Sequence, residues 1–167
     1  AHEIGYKAEL LTAVENINQR QKQVLFNKII AHYNSDIKGM TFALWCLAFK
    51  PKTDDMRKAP SRVLLESLIN AGAYVRAYDP EALGGARKIY THLAGLTLFD
   101  SQDLTLDGSN ALCIVTEWKN FWSPDFSLLK QKLADAAIFD GRNLYNPNEV
   151  KRHGLNYFSI GRAIAEA

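Results

Sequence analysis

The chain is 167 residues long, 47% hydrophobic and 23% charged, enough to bury one substantial core and too little for two. A formal charge of +2 leaves no basic stripe for nucleic-acid binding, and no run of about eighteen apolar residues is present to span a membrane. Residues 1–5, Ala-His-Glu-Ile-Gly, lack the basic-then-apolar pattern of a secretory leader.

From about Lys7 to Tyr33, residues Leu10, Leu11, Val14, Ile17, Val24, Leu25 and Ile29 recur near helical spacing among Glu, Gln, Lys and Asn. This predicts one long helix, roughly 40 Å at 1.5 Å per residue. Such a helix bridges two domains or forms a dimer seam, or else packs along one side of its own domain. Asn34-Ser35-Asp36 ends it, and Gly39 leads into residues 41–48, Thr-Phe-Ala-Leu-Trp-Cys-Leu-Ala. That apolar run, cut off by Phe49-Lys50-Pro51 and dense charges, reads as a strand buried on both faces of a parallel sheet. The charged loop at its carboxyl end is where open α/β sheets bind ligands.

Pro60 suits the first turn of a helix, Val63, Leu64, Leu65, Leu68 and Ile69 give it an apolar face, and Gly72 stops it. Residues 74–78, Tyr-Val-Arg-Ala-Tyr, are the next strand, ended by Asp79-Pro80. Residues 81–95 read as a loop or short helix, 96–99 as a short strand, and Asp100-Ser-Gln-Asp-Leu as a capped short helix. A second strongly apolar strand follows at 111–115, then a helix from Pro124-Asp125 to about Leu133 and a buried strand at 136–139. A short helix near 148–153 and a last strand near 156–160 complete the chain. Strands alternating with helices at this spacing predict an α/β fold: a Rossmann-like, doubly wound, mostly parallel sheet preceded by a long helix.

Parallel topology brings four polar strand ends to one edge: Phe49-Lys50-Pro51, Asp79-Pro80, Thr116-Glu117-Trp118 and Asp140-Gly141-Arg142. A dinucleotide cradle needs a Gly-x-Gly-x-x-Gly turn after the first strand, and this loop contains no glycine. Side-chain cations are the alternative grip on phosphate: Lys50 as a point charge, Arg57 and Arg142 as planar forks. Phe49 either covers a flat ring or closes the core. Asp54 and Asp55 read as caps for the following helix rather than an acid–base pair. Cys46 and Cys113 lie in apolar runs with no Cys-x-x-Cys partner, so both read as reduced, buried thiols of a cytoplasmic protein. His2, His32, His92 and His153 are scattered, and no metal site is expected. The residues alone point to a module that binds a small anionic molecule, with no visible catalyst.

Three stretches in this order carry a resemblance: Phe49-Lys-Pro-Lys-Thr-Asp-Asp-Met-Arg-Lys-Ala-Pro-Ser61, Val75-Arg-Ala-Tyr-Asp-Pro80 and Phe139-Asp-Gly-Arg-Asn143. With Asn16-Ile-Asn-Gln19 in the first helix and the closing Tyr157-Phe-Ser-Ile-Gly-Arg162, they resemble the C-terminal part of the UDP-glucose 6-dehydrogenases. These belong to the UDP-glucose/GDP-mannose dehydrogenase family. The resemblance implies that residues 1–36 are the end of a central dimerisation helix and 37–167 a UDP-binding domain. It implies contacts from Phe49, Lys50 and Arg142 to the UDP-sugar, and from Arg57 to the NAD pyrophosphate. The family's cysteine motif, Gly-x-Cys-x-x-Lys-Asp, and its NAD-binding glycines are missing from this stretch, so Ala1 reads as a cut point. The expectation is the substrate-binding part of an NAD-dependent UDP-glucose dehydrogenase, dimeric through its helix and inactive alone. The alternatives are a dehydrogenase of another nucleotide sugar (GDP-mannose or UDP-N-acetylmannosamine) and a non-catalytic sugar-nucleotide or dimerisation module.

Overall fold

Six parallel strands form one sheet in the order β3-β2-β1-β4-β5-β6. The structure is a computed structural model and describes residues 9–162; the predicted helix start at Lys7 and the cut point at Ala1 lie outside them. The elements are α1 (Glu9–His32), β1 (Thr41–Trp45), α2 (Pro60–Asn70), β2 (Tyr74–Tyr78), α3 (Leu83–Ile89) and β3 (Leu96–Leu98). They continue as α4 (Gln102–Leu106), β4 (Ala111–Ile114), α5 (Phe126–Lys132), β5 (Ala137–Asp140), α6 (Pro147–Arg152) and β6 (Asn156–Ser159). The sheet is parallel throughout, where the sequence predicts mostly parallel pairing.

Alternation along the central strands sorts their side chains onto two faces. Phe42, Phe139 and Phe158 face α1, where Tyr33 meets Phe42 at 5.8 Å and His32 meets Phe158 at 4.5 Å between ring centroids. Phe139 and Phe158 stack at 4.7 Å, a pair worth about 0.5–1.5 kcal/mol beyond its buried area. Helix α2 packs beside α1 on that face. Trp45 and Tyr157 look the other way: Trp45 stacks on Phe121 at 5.0 Å and its indole N–H donates to Thr105 of α4 at 3.0 Å. Strands β1, β4 and β5 are thus covered on both sides, which explains why they read as unbroken apolar runs.

Several boundaries differ from the sequence reading for local reasons. The first strand stops at Trp45, three residues before the apolar run ends, because Cys46 takes a left-handed φ of 82° that breaks the extended backbone. The ambiguous stretch 81–95 holds a helix, α3, and Asp125 is the N-cap of α5 rather than its first residue, accepting from the Ser127 and Leu128 N–H groups at 2.9 and 3.0 Å. Gly72 ends α2 as predicted, at φ 86° with its N–H on the Ile69 carbonyl. Only the second half of α1 is packed: Leu25 and Ile29 are buried, whereas Leu10, Leu11, Val14 and Ile17 are 77, 65, 47 and 55% exposed.

Candidate functional site

Strand β1 leads by α2 to β2 on one side, and β4 leads by α5 to β5 on the other, so the chain diverges between adjacent strands β1 and β4. A crevice at the carboxyl ends of such strands is the standard ligand position of an open α/β sheet. Here it is a cavity of about 430 Å³, floored by Leu25, Leu64, Val115 and Ile160. Its polar walls are Asn18, Gln21 and Lys22 of α1, Lys58 of the β1–α2 loop and Arg142 after β5, with Phe49 at the side. A second, more open cavity of about 690 Å³ shares Arg142 and adds Glu117, Trp122 and Asn143. Arg142 therefore stands in the wall between two recesses.

Two buried carboxylates hold the loops that build these walls. Asp79, fully buried after β2, accepts from the Leu47 and Ala48 N–H groups at 2.7 and 2.9 Å and from Glu81 and Ala82 at 2.8 and 2.7 Å. Ser61 donates to the Leu47 carbonyl at 2.6 Å and Thr116 to the Ala48 carbonyl at 2.8 Å, so residues 47 and 48 are gripped from both sides. The Cys46 thiol donates to Asp79 at 3.0 Å, and burial, then the neighbouring carboxylate, push its pKa far up. Cys113 is pushed up by burial alone. Neither thiol is a ready nucleophile.

Asp140, also fully buried, accepts from the Arg142 and Leu144 N–H groups and the Tyr157 hydroxyl, each at 2.7 Å. Gly141 runs so close to its surroundings that a Cβ there would lie 3.1 Å from the Ile114 carbonyl oxygen and 3.4 Å from Leu25 of α1. Asn143, at φ 59°, exchanges two hydrogen bonds with the Ile160 backbone, tying this loop to the end of β6.

The four polar strand ends thus divide. Asp79 and Asp140 are internal struts, contrary to the expectation that all four ends form the site. Phe49, half-exposed at 51%, and Arg142 are brought together on one cavity. Lys50 is exposed and lines neither cavity. Arg57 is drawn away from the cavity by Asp55, whose carboxylate takes its Nε and Nη2 at 3.0 Å each. That hydrogen bonding holds the Asp55 carboxyl below its usual range. The predicted capping by Asp54 and Asp55 is not found: the N-cap of α2 is Ala59, without a side-chain cap, because four residues separate Asp55 from the helix.

Sequence reasoning missed Asn18, Gln21, Lys22 and Lys58. The first three had a signal, since Asn18, Gln21, Lys22 and Leu25 follow i, i+3, i+4, i+7 spacing and share a face with a buried leucine. Lys58 lies inside the stretch Phe49–Ser61 that carries the resemblance, but no spacing marked it: its left-handed φ of 56° turns it toward the cavity while Arg57 beside it faces Asp55. The charged residues that line the two recesses are then three cations, Lys22, Lys58 and Arg142, and one carboxylate, Glu117. Among the described residues, no His, Cys, Asp and Glu cluster could hold a metal ion.

A sequence model of the UDP-glucose/GDP-mannose dehydrogenase family, UDP binding domain, matches residues 43–147. The chain is 45% identical over 165 residues to a UDP-glucose 6-dehydrogenase of Pseudomonas aeruginosa, covering 97% of this chain and 36% of that protein. It is 39% identical over 146 residues to one of Rhizobium meliloti, covering 87% of this chain and 33% of the relative. The chain therefore spans about a third of the length of the relatives it matches. A UDP-glucose dehydrogenase of Pyrobaculum islandicum superposes on 99% of the chain, and on 34% of its own length, with a TM-score of 0.75 at 22% identity, which speaks for the fold alone. By sequence match and by architecture, this chain belongs to the UDP-glucose/GDP-mannose dehydrogenase family and carries its UDP-binding domain.

Proposed function

We propose that the chain is the substrate-binding part of an NAD-dependent UDP-glucose 6-dehydrogenase, which converts UDP-glucose and two NAD⁺ to UDP-glucuronate and two NADH. The observation that carries this reading is the cation-walled cavity at a glycine-free switch point. Without glycine the backbone cannot close on a pyrophosphate, so charged side chains must do it. Lys22, Lys58 and Arg142 would hold the diphosphate of the UDP-sugar, with Phe49 against a flat face of the sugar or base. Lys50, exposed beside Phe49, would meet the sugar side, and Arg57 would reach the NAD pyrophosphate from outside the cavity. For NAD itself this chain supplies Arg57 only, since the loop has no glycine-rich turn. When bound, NAD supplies the hydride acceptor.

The two buried thiols support a division of labour in which this part binds and does not catalyse. Helix α1 is then the end of a central helix, and the exposed Leu10, Leu11, Val14 and Ile17 fit a dimer seam in a cytoplasmic enzyme. Calorimetric titration of the 167-residue chain tests the reading: UDP should bind and GDP should bind more weakly. Arg142→Ala should weaken UDP binding, and Lys50→Ala the binding of UDP-glucose, each by about 1.5–3 kcal/mol, the range for a hydrogen bond to a charged group. Unchanged affinity in both variants would remove these residues from the site, and stronger binding of GDP would move the assignment to another nucleotide sugar.

A further inference from the structure

Arg142 does not project freely into its cavities. Its Nε and Nη2 both donate to the Glu117 carboxylate, the Nη2–Oε1 distance being 2.6 Å. The two residues come from the ends of neighbouring parallel strands, β4 and β5, and both loop backbones are independently fixed. Thr116 is tied to Ala48, and the Arg142 N–H to Asp140. That leaves the long arginine side chain to be placed, and Glu117 is what holds it. Although partial burial pushes the Glu117 carboxyl up, the bonds and charge of Arg142 bring it below its ordinary value, so the pair persists at neutral pH.

The manner of pairing matters. A guanidinium has five N–H groups and two useful edges. Glu117 occupies the side edge, Nε with Nη2. The end edge, Nη1 with the second hydrogen of Nη2, is left unused. Among the described residues Nη1 donates to none, and the arginine side chain is 45% exposed where it lines both cavities. That edge is itself a two-pronged fork matched to a phosphate.

We propose that Glu117 is a positioning residue. It takes one edge of the Arg142 guanidinium so that the opposite edge is presented, already ordered, to a phosphate of the bound nucleotide. This rests on the UDP-binding reading above. The carboxylate does not compete with the ligand; it lowers the ordering cost that a free arginine side chain imposes on binding. The opposite arrangement, in which phosphate must evict Glu117, predicts effects of opposite sign.

The test is a double-mutant cycle on the 167-residue chain titrated with UDP. Glu117→Ala should weaken UDP binding by about three- to fivefold, the upper part of the range of an exposed ion pair. Glu117→Gln, which keeps one of the two acceptors, should lose less. In an Arg142→Ala background, Glu117→Ala should have no further effect. A spectroscopic arm reads the same pair: the Arg142 Nε–H resonance should be protected in the unaltered chain, lost in Glu117→Ala and retained when UDP is added. Tighter UDP binding by Glu117→Ala, disappearance of the Nε–H resonance on adding UDP, or equal losses in both backgrounds would each overturn the proposal. Absence of UDP binding by the unaltered chain would overturn the nucleotide reading as well, whereas binding that Glu117→Ala leaves unchanged sinks this inference alone.

Discussion

At the amino-terminal edge of the sheet, Tyr33, Thr41, Asn110 and Asp135 close on one another. Asp135 accepts from the Tyr33 hydroxyl at 2.9 Å and the Asn110 amide at 3.1 Å, and Asn110 accepts from the Thr41 N–H at 3.0 Å. At the carboxyl edge, Asp79 and Asp140 collect loop N–H groups in the same manner, yet Lys22, Lys58 and Arg142 outside them face a cavity. Both edges use carboxylates to fix loops; they differ in what is left over. At the first edge these groups satisfy one another. At the second, the struts spend their acceptors on backbone and leave cations with donor capacity to spare, which is the electrostatic condition for holding an anion. The contrast separates groups that fold the chain from groups that serve it.

The largest test of that separation is Asp79→Ala. It strands the N–H groups of Leu47, Ala48, Glu81 and Ala82, all but that of Glu81 buried, and a buried donor left without its partner costs about 1–3 kcal/mol. Urea unfolding should show a loss of that size; a loss below about 1 kcal/mol would mean that water replaces the carboxylate without difficulty. Next is Gly141→Ala, whose Cβ would sit 3.1 Å from the Ile114 carbonyl and press on Leu25. Overpacking of this kind costs about 1–3 kcal/mol, and it should also weaken UDP binding by moving α1 off the cavity. Full affinity in a destabilised variant would show that α1 is no part of the wall.

Tyr33→Phe, at the opposite edge, should cost about 1 kcal/mol, the net value of one hydrogen bond. It should leave UDP affinity untouched, and a binding defect there would blur the contrast between the edges. The Tyr33 hydroxyl, pushed up by burial and then by Asp135, stays protonated throughout the working pH range and adds no pH dependence. The smallest effect concerns Glu117. Its carboxyl is held below the ordinary value of about 4.5, so the ion pair's contribution is fully present above that pH and lost as pH falls through the lowered folded value. The stability gap between the unaltered chain and Glu117→Gln should be constant from neutral pH to about 4.5 and close only below it. A gap that closes by pH 6 would show that another group sets it.

Much of the fold was legible because it depends on local pattern. The apolar runs at 41–48 and 111–115 announced strands covered on both faces, and Gly72 and Pro60 marked helix ends. The site was half legible. Phe49 and Arg142 follow strand ends, so topology alone placed them at one edge. Lys50 and Arg57 follow the same strand yet line neither cavity. Lys22, eighteen or more residues before any strand, reached the cavity only through the way α1 lies on the sheet.

By itself, then, the sequence determined the α/β alternation, the family and a glycine-free ligand loop, because each depends on residue type and spacing along the chain. Which charges are struts and which remain available follows from packing in three dimensions. Asp79 and Asp140 look on paper like Asp55, and nothing local to them says that two are fully buried acceptors of loop N–H groups and one a surface partner of Arg57. A carboxylate's role is set by which donors reach it. At Asp79 and in the Arg142–Glu117 pair, donors from 31 and 25 residues away in the chain make that choice.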